Sequence, residues 1–171
     1  MRNVRAWVPL ALALAFCAFA RADDGPEVEH QPVPCTIPGK PLSLCANVSS
    51  QTDVAKARIY FRRAGEEFYN MVDMEFDGIK YCGTVPAPLE GKIQSLEYYI
   101  QAIDTAYQAK RTSTFQIAIQ GENTCEFPPI EKDPTRIASI KVFATHKKQG
   151  KKLDDAFSSA GVTFVPLLPA K

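Results

Sequence analysis

The chain has 171 residues, with 20 basic and 19 acidic side chains and two histidines. That near-neutral balance argues against a nucleic-acid partner, and the length suits one domain with an appendage better than two full domains. Beyond the N-terminus, no run is long and apolar enough to span a bilayer, which needs about 20 residues.

Residues 1–22 read as a secretory signal peptide. Arg2 and Arg5 lead, Trp7 to Ala20 is apolar throughout, and Ala20-Arg21-Ala22 supplies the small-x-small pattern that precedes cleavage. Cys17 raises the question of a lipid anchor, but bulky Phe16 stands where such a signal needs a small residue, so ordinary cleavage is expected. Loss of the three leader arginines leaves 17 basic and 19 acidic groups. The expected mature chain is exported, to the periplasm or beyond the cell, with no transmembrane segment. Residues 23–125 carry 9 basic and 14 acidic groups, and residues 126–171 carry 8 and 5.

Residues 23–41 hold five prolines, which cannot donate to a central ladder, so this stretch is expected to be an extended leader with at most a short edge strand near Cys35. Residues 42–125 then run in period-two alternation. Leu42, Leu44, Ala46 and Val48 form the first apolar set, and Ala57, Ile59 and Phe61 the second, alternating with Arg58, Tyr60 and Arg62. Phe68, Val72 and Met74 follow, up to the hairpin signal Asp77-Gly78. Next come Tyr81, Gly83 and Val85, stopped by Pro86, and then the clearest run, with Leu96, Tyr98, Ile100 and Ala102 against Glu97, Tyr99 and Gln101. Phe115, Ile117 and Ile119 close the series. Short strands at roughly ten-residue spacing predict an all-β antiparallel sandwich.

Residues 126–171 read as a small C-terminal extension. Strands are expected over Ile137–Thr145 and Val162–Val165. Between them Leu153, Ala156, Phe157 and Ala160 fall at helical spacing with Gly161 placed to end a short helix.

The search for chemistry finds little. His30 and His146 are the only imidazoles, one in the proline-rich leader and one opening the lysine-rich run 146–152, and neither promises the rigid, partly buried setting of a general base. No nucleophile elbow, phosphate loop or zinc helix is present. Asp73-Met74-Glu75-Phe76-Asp77-Gly78 imitates a calcium loop, but Thr84 stands where the twelfth-position acid belongs. The expectation is a non-enzyme without cofactor or metal. A carbohydrate-binding module is the alternative, although the one tryptophan lies in the leader and tyrosines would have to serve. Asn47-Val48-Ser49 is a glycosylation sequon within a strand.

Four phrases carry a family resemblance: Ile59-Tyr60-Phe61-Arg62, Asp77-Gly78-Ile79-Lys80-Tyr81, Val85-Pro86 and Leu96 to Asp104. Over about residues 35–125 the chain resembles bacterial extracellular immunoglobulin-like domains of the fibronectin type III kind. The resemblance implies a fold and says almost nothing of function, since such modules serve as spacers, adhesins and enzyme appendages.

Without Cys17 an even set of cysteines remains, which in an oxidising compartment implies disulfides with three possible pairings. If Leu44, Ala46, Tyr81 and Gly83 point inward, Cys45 and Cys82 both point outward. In the fibronectin-like order their strands are neighbours, so Cys45–Cys82 and Cys35–Cys125 are the expected bridges. The same assignment turns Arg58, Tyr60, Arg62, Tyr99, Gln101 and Ile103 outward, joined by Tyr69 and Met71. Solvated sheet faces carry lysine, glutamate and threonine, whereas tyrosine, arginine and methionine are interface types. Two occupants are expected for this face: an unknown protein partner, or the C-terminal extension folded back over it through Val142, Phe157 and Phe164.

Overall fold

A computed structural model describes residues 25–125 and 139–167. The leader, Cys17 and Ile137 lie outside the described residues. The strands in chain order are β1 (Glu27–Glu29), β2 (Cys35–Thr36), β3 (Leu42–Ser49), β4 (Val54–Arg63), β5 (Asn70–Asp73), β6 (Glu75–Phe76), β7 (Tyr81–Val85), β8 (Ser95–Asp104), β9 (Ala109–Arg111), β10 (Phe115–Ile119), β11 (Ile140–Ala144) and β12 (Val162–Val165). They form a four-stranded sheet in the order β1-β3-β7-β6 and an eight-stranded sheet in the order β12-β11-β5-β4-β8-β10-β2, with β9 paired to β8. The described chain is thus all-β.

Alternation decides what each sheet buries. Along β8 every second residue from Leu96 to Asp104 is buried, and Ala57, Ile59 and Phe61 do the same on β4. Leu42, Leu44 and Ala46 of β3, with Val85 of β7, close the core from the smaller sheet. Each leucine, isoleucine, valine and phenylalanine among them contributes roughly 1.5–3 kcal/mol on leaving water. Gly83 sits where the sheets approach closely: a Cβ there would lie 2.8 Å from Ile59 Cδ1 and 3.2 Å from the Asp73 carbonyl. The third apolar run is broken at Met74, whose N–H donates to Ala57 O at 2.9 Å. Past that point the chain leaves the larger sheet as β5 and enters the smaller one as β6.

Three expectations need correction. The proline-rich leader holds more than the short edge strand expected near Cys35: that strand is β2, parallel to β10, and β1 also pairs with β3 at the edge of the smaller sheet. Both are edge positions, where proline's missing donor does no harm. Residues 153–160 form turns, not a helix. Their backbone hydrogen bonds go across to another loop, with Leu89 N–H donating to Ala156 O and Ser158 N–H to Ala87 O, both at 2.8 Å. Finally, the described residues of the extension, 139–167, do not lie over the tyrosine face. It lengthens the larger sheet edgewise, β11 running antiparallel to β5 and β12 parallel to β11.

The side chains expected to cover that face point elsewhere. Val142, paired with Val72, is wholly buried on the inner side, and Phe157 meets Phe61 edge-on at 5.2 Å inside the core. Phe164, paired with Val142, shares its inward side and is partly buried against the core.

Both expected disulfides form, Cys45–Cys82 between directly opposed residues of β3 and β7, and Cys35–Cys125 with 5.7 Å between Cα atoms. Two disulfides fit an oxidising, exported environment. Among the described residues no helix is long and apolar enough to cross a membrane.

Candidate functional site

With Ile59, Ile100 and Val72 turned into the core, the intervening residues of β4, β8 and β5 turn outward together. Register places Tyr60 beside Tyr99 on one flank and Met71 on the other, and sets Arg58 beside Gln101 and Asp73. Met71 in turn faces Phe143 of β11, and Phe143 faces Val165 of β12. The extension therefore widens this face, adding two apolar side chains to a row that crosses five strands. Ile103 lies on the same side, next to Lys56.

The aromatic groups pack on one another. The Tyr60 and Tyr99 rings stack with centroids 4.7 Å apart and planes 8° from parallel, and Tyr69 meets Tyr99 edge-on at 5.0 Å. Arginines cover what remains: Arg62 lies 4.2 Å from the Tyr69 ring centre and Arg111 lies 5.1 Å from that of Tyr99. Such cation–ring contacts are worth about 0.5–1 kcal/mol at exposed sites. Arg62 is held in turn by Glu97, to which Nε donates at 2.8 Å and Nη2 at 2.7 Å, and by the Glu66 carbonyl at 2.6 Å. Arg58 and Lys56 share Asp73, each at 3.1 Å. Burial raises the Tyr99 phenol above its ordinary pKa, and the neighbouring Tyr60 adds to this while Arg111 opposes it. The Tyr99 hydroxyl thus stays protonated at neutral pH and remains available as a donor.

Tyr69 lies outside the regular strand and is positioned by the extension. The Thr145 hydroxyl and Gln149 Nε2 both donate to its carbonyl, the latter at 2.9 Å, and Gln149 Nε2 also reaches Asn70 Oδ1 at 3.2 Å. Gln149 ends a short 3-10 turn (Lys147–Gln149) capped by His146, whose ring stacks on Phe68 at 4.3 Å. The sequence reading missed Gln149, because its partner is 80 residues away.

The other singled-out residues have local roles. Asp77 Oδ1 accepts from the N–H groups of Ile79 and Lys80 at 3.0 and 2.9 Å, which shapes the β6–β7 turn around Gly78 at φ 101°. Asn47 of the sequon is exposed on the outer side of the smaller sheet, next to Glu29.

His30 departs from expectation. It is half-buried at the edge of the core, not loose in a leader. Nδ1 donates to Cys45 O at 2.7 Å, which leaves Nε2 to accept from the Tyr98 hydroxyl at 2.7 Å. Burial lowers the His30 pKa, against a smaller opposing pull from the Cys45 carbonyl. Burial also pushes the Tyr98 phenol up to about 12, partly offset by a backbone hydrogen bond from Val33. Both imidazole nitrogens are therefore engaged in holding β1 against β3 and β8.

No protein-family profile and no curated protein matches the chain. Similar solved structures include an engineered protein, 17% identical over 58% of this chain with a TM-score of 0.43. The chain spans about a fifth of that protein's length, 21%. The SrpA adhesin of Streptococcus sanguinis is 17% identical, with 71% of this chain and 70% of that one covered and a TM-score of 0.40. A mutant of the same adhesin gives 16%, 67%, 68% and 0.39. Likenesses at this level assign neither family nor function.

Proposed function

We propose that this chain is an exported, non-enzymatic module of the immunoglobulin-like, fibronectin type III-like class that binds a protein partner through the outer face of its larger sheet. One observation carries the reading: three tyrosines and two arginines are packed together on a sheet face that the described part of the chain's own extension borders and does not cover. Tyrosine and arginine dominate binding energy at protein interfaces, and a cluster already ordered loses little entropy on docking. The strand order of the two sheets supports the class.

A protein fits this face better than a sugar. Pyranose rings stack on the flat sides of aromatic rings, and here Tyr99 has Tyr60 against one side and Arg111 above the ring, while Arg62 covers Tyr69. What the cluster offers is ring edges, hydroxyls and guanidinium groups. The histidines support the non-enzymatic reading, since both nitrogens of His30 are engaged in structure and His146 caps a turn.

The test is site-directed photocrosslinking in the native cell, with a photoreactive residue at Gln101 and a control at Glu90, exposed in the turn between β7 and β8. Adducts with a protein from position 101 and none from position 90, lost on Tyr99→Ala with the melting temperature nearly unchanged, are the expected result. Adducts from position 90 alone, or undiminished by Tyr99→Ala, would overturn it.

A further inference from the structure

The two outer faces of the molecule carry opposite charge. On the smaller sheet, Leu42, Leu44 and Ala46 point inward, so Ser43, Cys45, Asn47 and Ser49 point outward, and register places Thr84 and Cys82 beside Ser43 and Cys45. Glu75 lies opposite Cys82, while Glu27 and Glu29 lie opposite Ser49 and Asn47. On its strands this face therefore holds three exposed carboxylates, no basic residue, and otherwise small polar side chains around a disulfide, with Asp77 and Lys80 of the β6–β7 turn at its end. None of the three carboxylates has a cation within ion-pair distance among the described residues.

The tyrosine face is the reverse. Lys56, Arg58 and Arg62 are matched there by only two carboxylates, Asp73 and Glu97. Arg111 of β9, opposite Gln101, and Lys141 of β11, opposite Thr163, add two exposed cations on the same side with no carboxylate partner among the described residues. Charges so segregated are not needed for the fold, and each face leaves unmet what the other supplies.

We propose that the partner of the tyrosine face is a second copy of this chain, which docks through the acidic outer face of its smaller sheet. This deepens the reading above and rests on it. Both surfaces are faces of β-sheets, so they can meet over a broad area. The small side chains around Ser43 and Thr84 let the opposing tyrosine rings and hydroxyls approach the backbone, while Arg111 and Lys141 meet carboxylates of the neighbour. Opposed fields of this kind steer association and penalise the wrong orientation. The two faces differ, so the contact is heterologous. One copy's free face repeats the offer, and copies add into an open stack instead of closing as a symmetric dimer.

The experiment uses the mature chain alone, produced in a host that leaves Asn47 unmodified. Sedimentation velocity is followed from micromolar to about 0.1 mM protein, in about 20 mM and about 500 mM salt, because the screening length falls from roughly 20 Å to roughly 4 Å across that range. The weight-average mass is expected to rise at least twofold with concentration in low salt and to return to the monomer in high salt.

An acid-reversed variant, Glu27→Lys, Glu29→Lys and Glu75→Lys, and a base-reversed variant, Arg111→Glu and Lys141→Glu, should each remain monomeric with unchanged melting temperature. Mixed in equal amounts they should associate again, since each face then meets its complement. A monomer under every condition overturns the proposal, as does association that ignores the charge reversals. Either outcome leaves the photocrosslinking at Gln101 to judge the tyrosine face on its own.

Discussion

Replacing Phe157 by alanine tests whether the C-terminal extension belongs to the same cooperative structure as the two sheets. Its ring is 3% exposed and meets Phe61 edge-on at 5.2 Å, so the substitution removes the main apolar anchor of residues 150–161. Phenylalanine-to-alanine changes in cores cost about 3–5 kcal/mol, from lost transfer energy together with the cavity left behind. Phe157 also lines an open groove with Leu89, Leu153 and Phe164, where water and neighbours can reach the vacated space. The low end of that range, about 3 kcal/mol, is therefore expected. For a chain of this size such a loss lowers the melting temperature by roughly 6–12 °C. Urea denaturation followed by both far-ultraviolet circular dichroism and tyrosine fluorescence measures it. The two probes should shift together, with the slope unchanged. A loss below about 1 kcal/mol, or two transitions where one was expected, would refute the claim that the extension completes the core.

Other expectations can be checked in the same apparatus. His30 is neutral in the fold with a pKa held below 6.5, so the unfolded chain takes up a proton first as the pH falls. Stability should be whole above pH 6.5 and decline below it, a slope that should flatten in the double variant His30→Leu, Tyr98→Phe. Gly83→Ala should cost about 1–3 kcal/mol by overpacking, because the new methyl would meet Ile59 and the Asp73 carbonyl, and thermal melting reads it directly. Opening Cys35–Cys125 by paired serine substitution releases a loop of sequence separation 90, worth up to about 4.6 kcal/mol in the chain-entropy account, against about 3.8 for the separation of 37 closed by Cys45–Cys82. Reversed order in denaturant midpoints would count against that account. Gln149→Ala should leave the Tyr69 carbonyl held by the Thr145 hydroxyl alone and broaden the Tyr69 ring signals in nuclear magnetic resonance while the Tyr60–Tyr99 stack stays ordered.

Much of the sheet structure was legible because it rests on a local rule. Side chains alternate along a strand, so Leu96 to Ala102 could be sorted into inner and outer sets before any pairing was known. The sorting put Tyr60, Tyr99 and Arg62 on one outer face, and put Cys45 and Cys82 on the same side of neighbouring strands. The helix expected at residues 153–160 failed because apolar spacing is a necessary sign of a helix and not a sufficient one. Ala156 and Phe157 are buried as adjacent residues of a turn, and the nearby backbone groups are satisfied by Ala87 and Leu89. His30 looked idle for a similar reason: its environment is built by Cys45 and Tyr98, 15 and 68 residues away.

From the sequence alone came the β class, the faces of the strands, the disulfide partners and the kind of side chain that each surface shows. Apart from the disulfide partners, which the fibronectin-like strand order implied, these follow from the two-residue period and from residue chemistry, which act within a few positions along the chain. The tertiary structure decided that β11 joins the free edge of β5, so that the described part of the extension widens the tyrosine face instead of covering it. It also decided that Glu27, Glu29 and Glu75 share one side of the molecule, away from Arg111 and Lys141. Edge pairing leaves little mark on composition or periodicity, because backbone groups make the ladder and any strand of suitable pattern can join it.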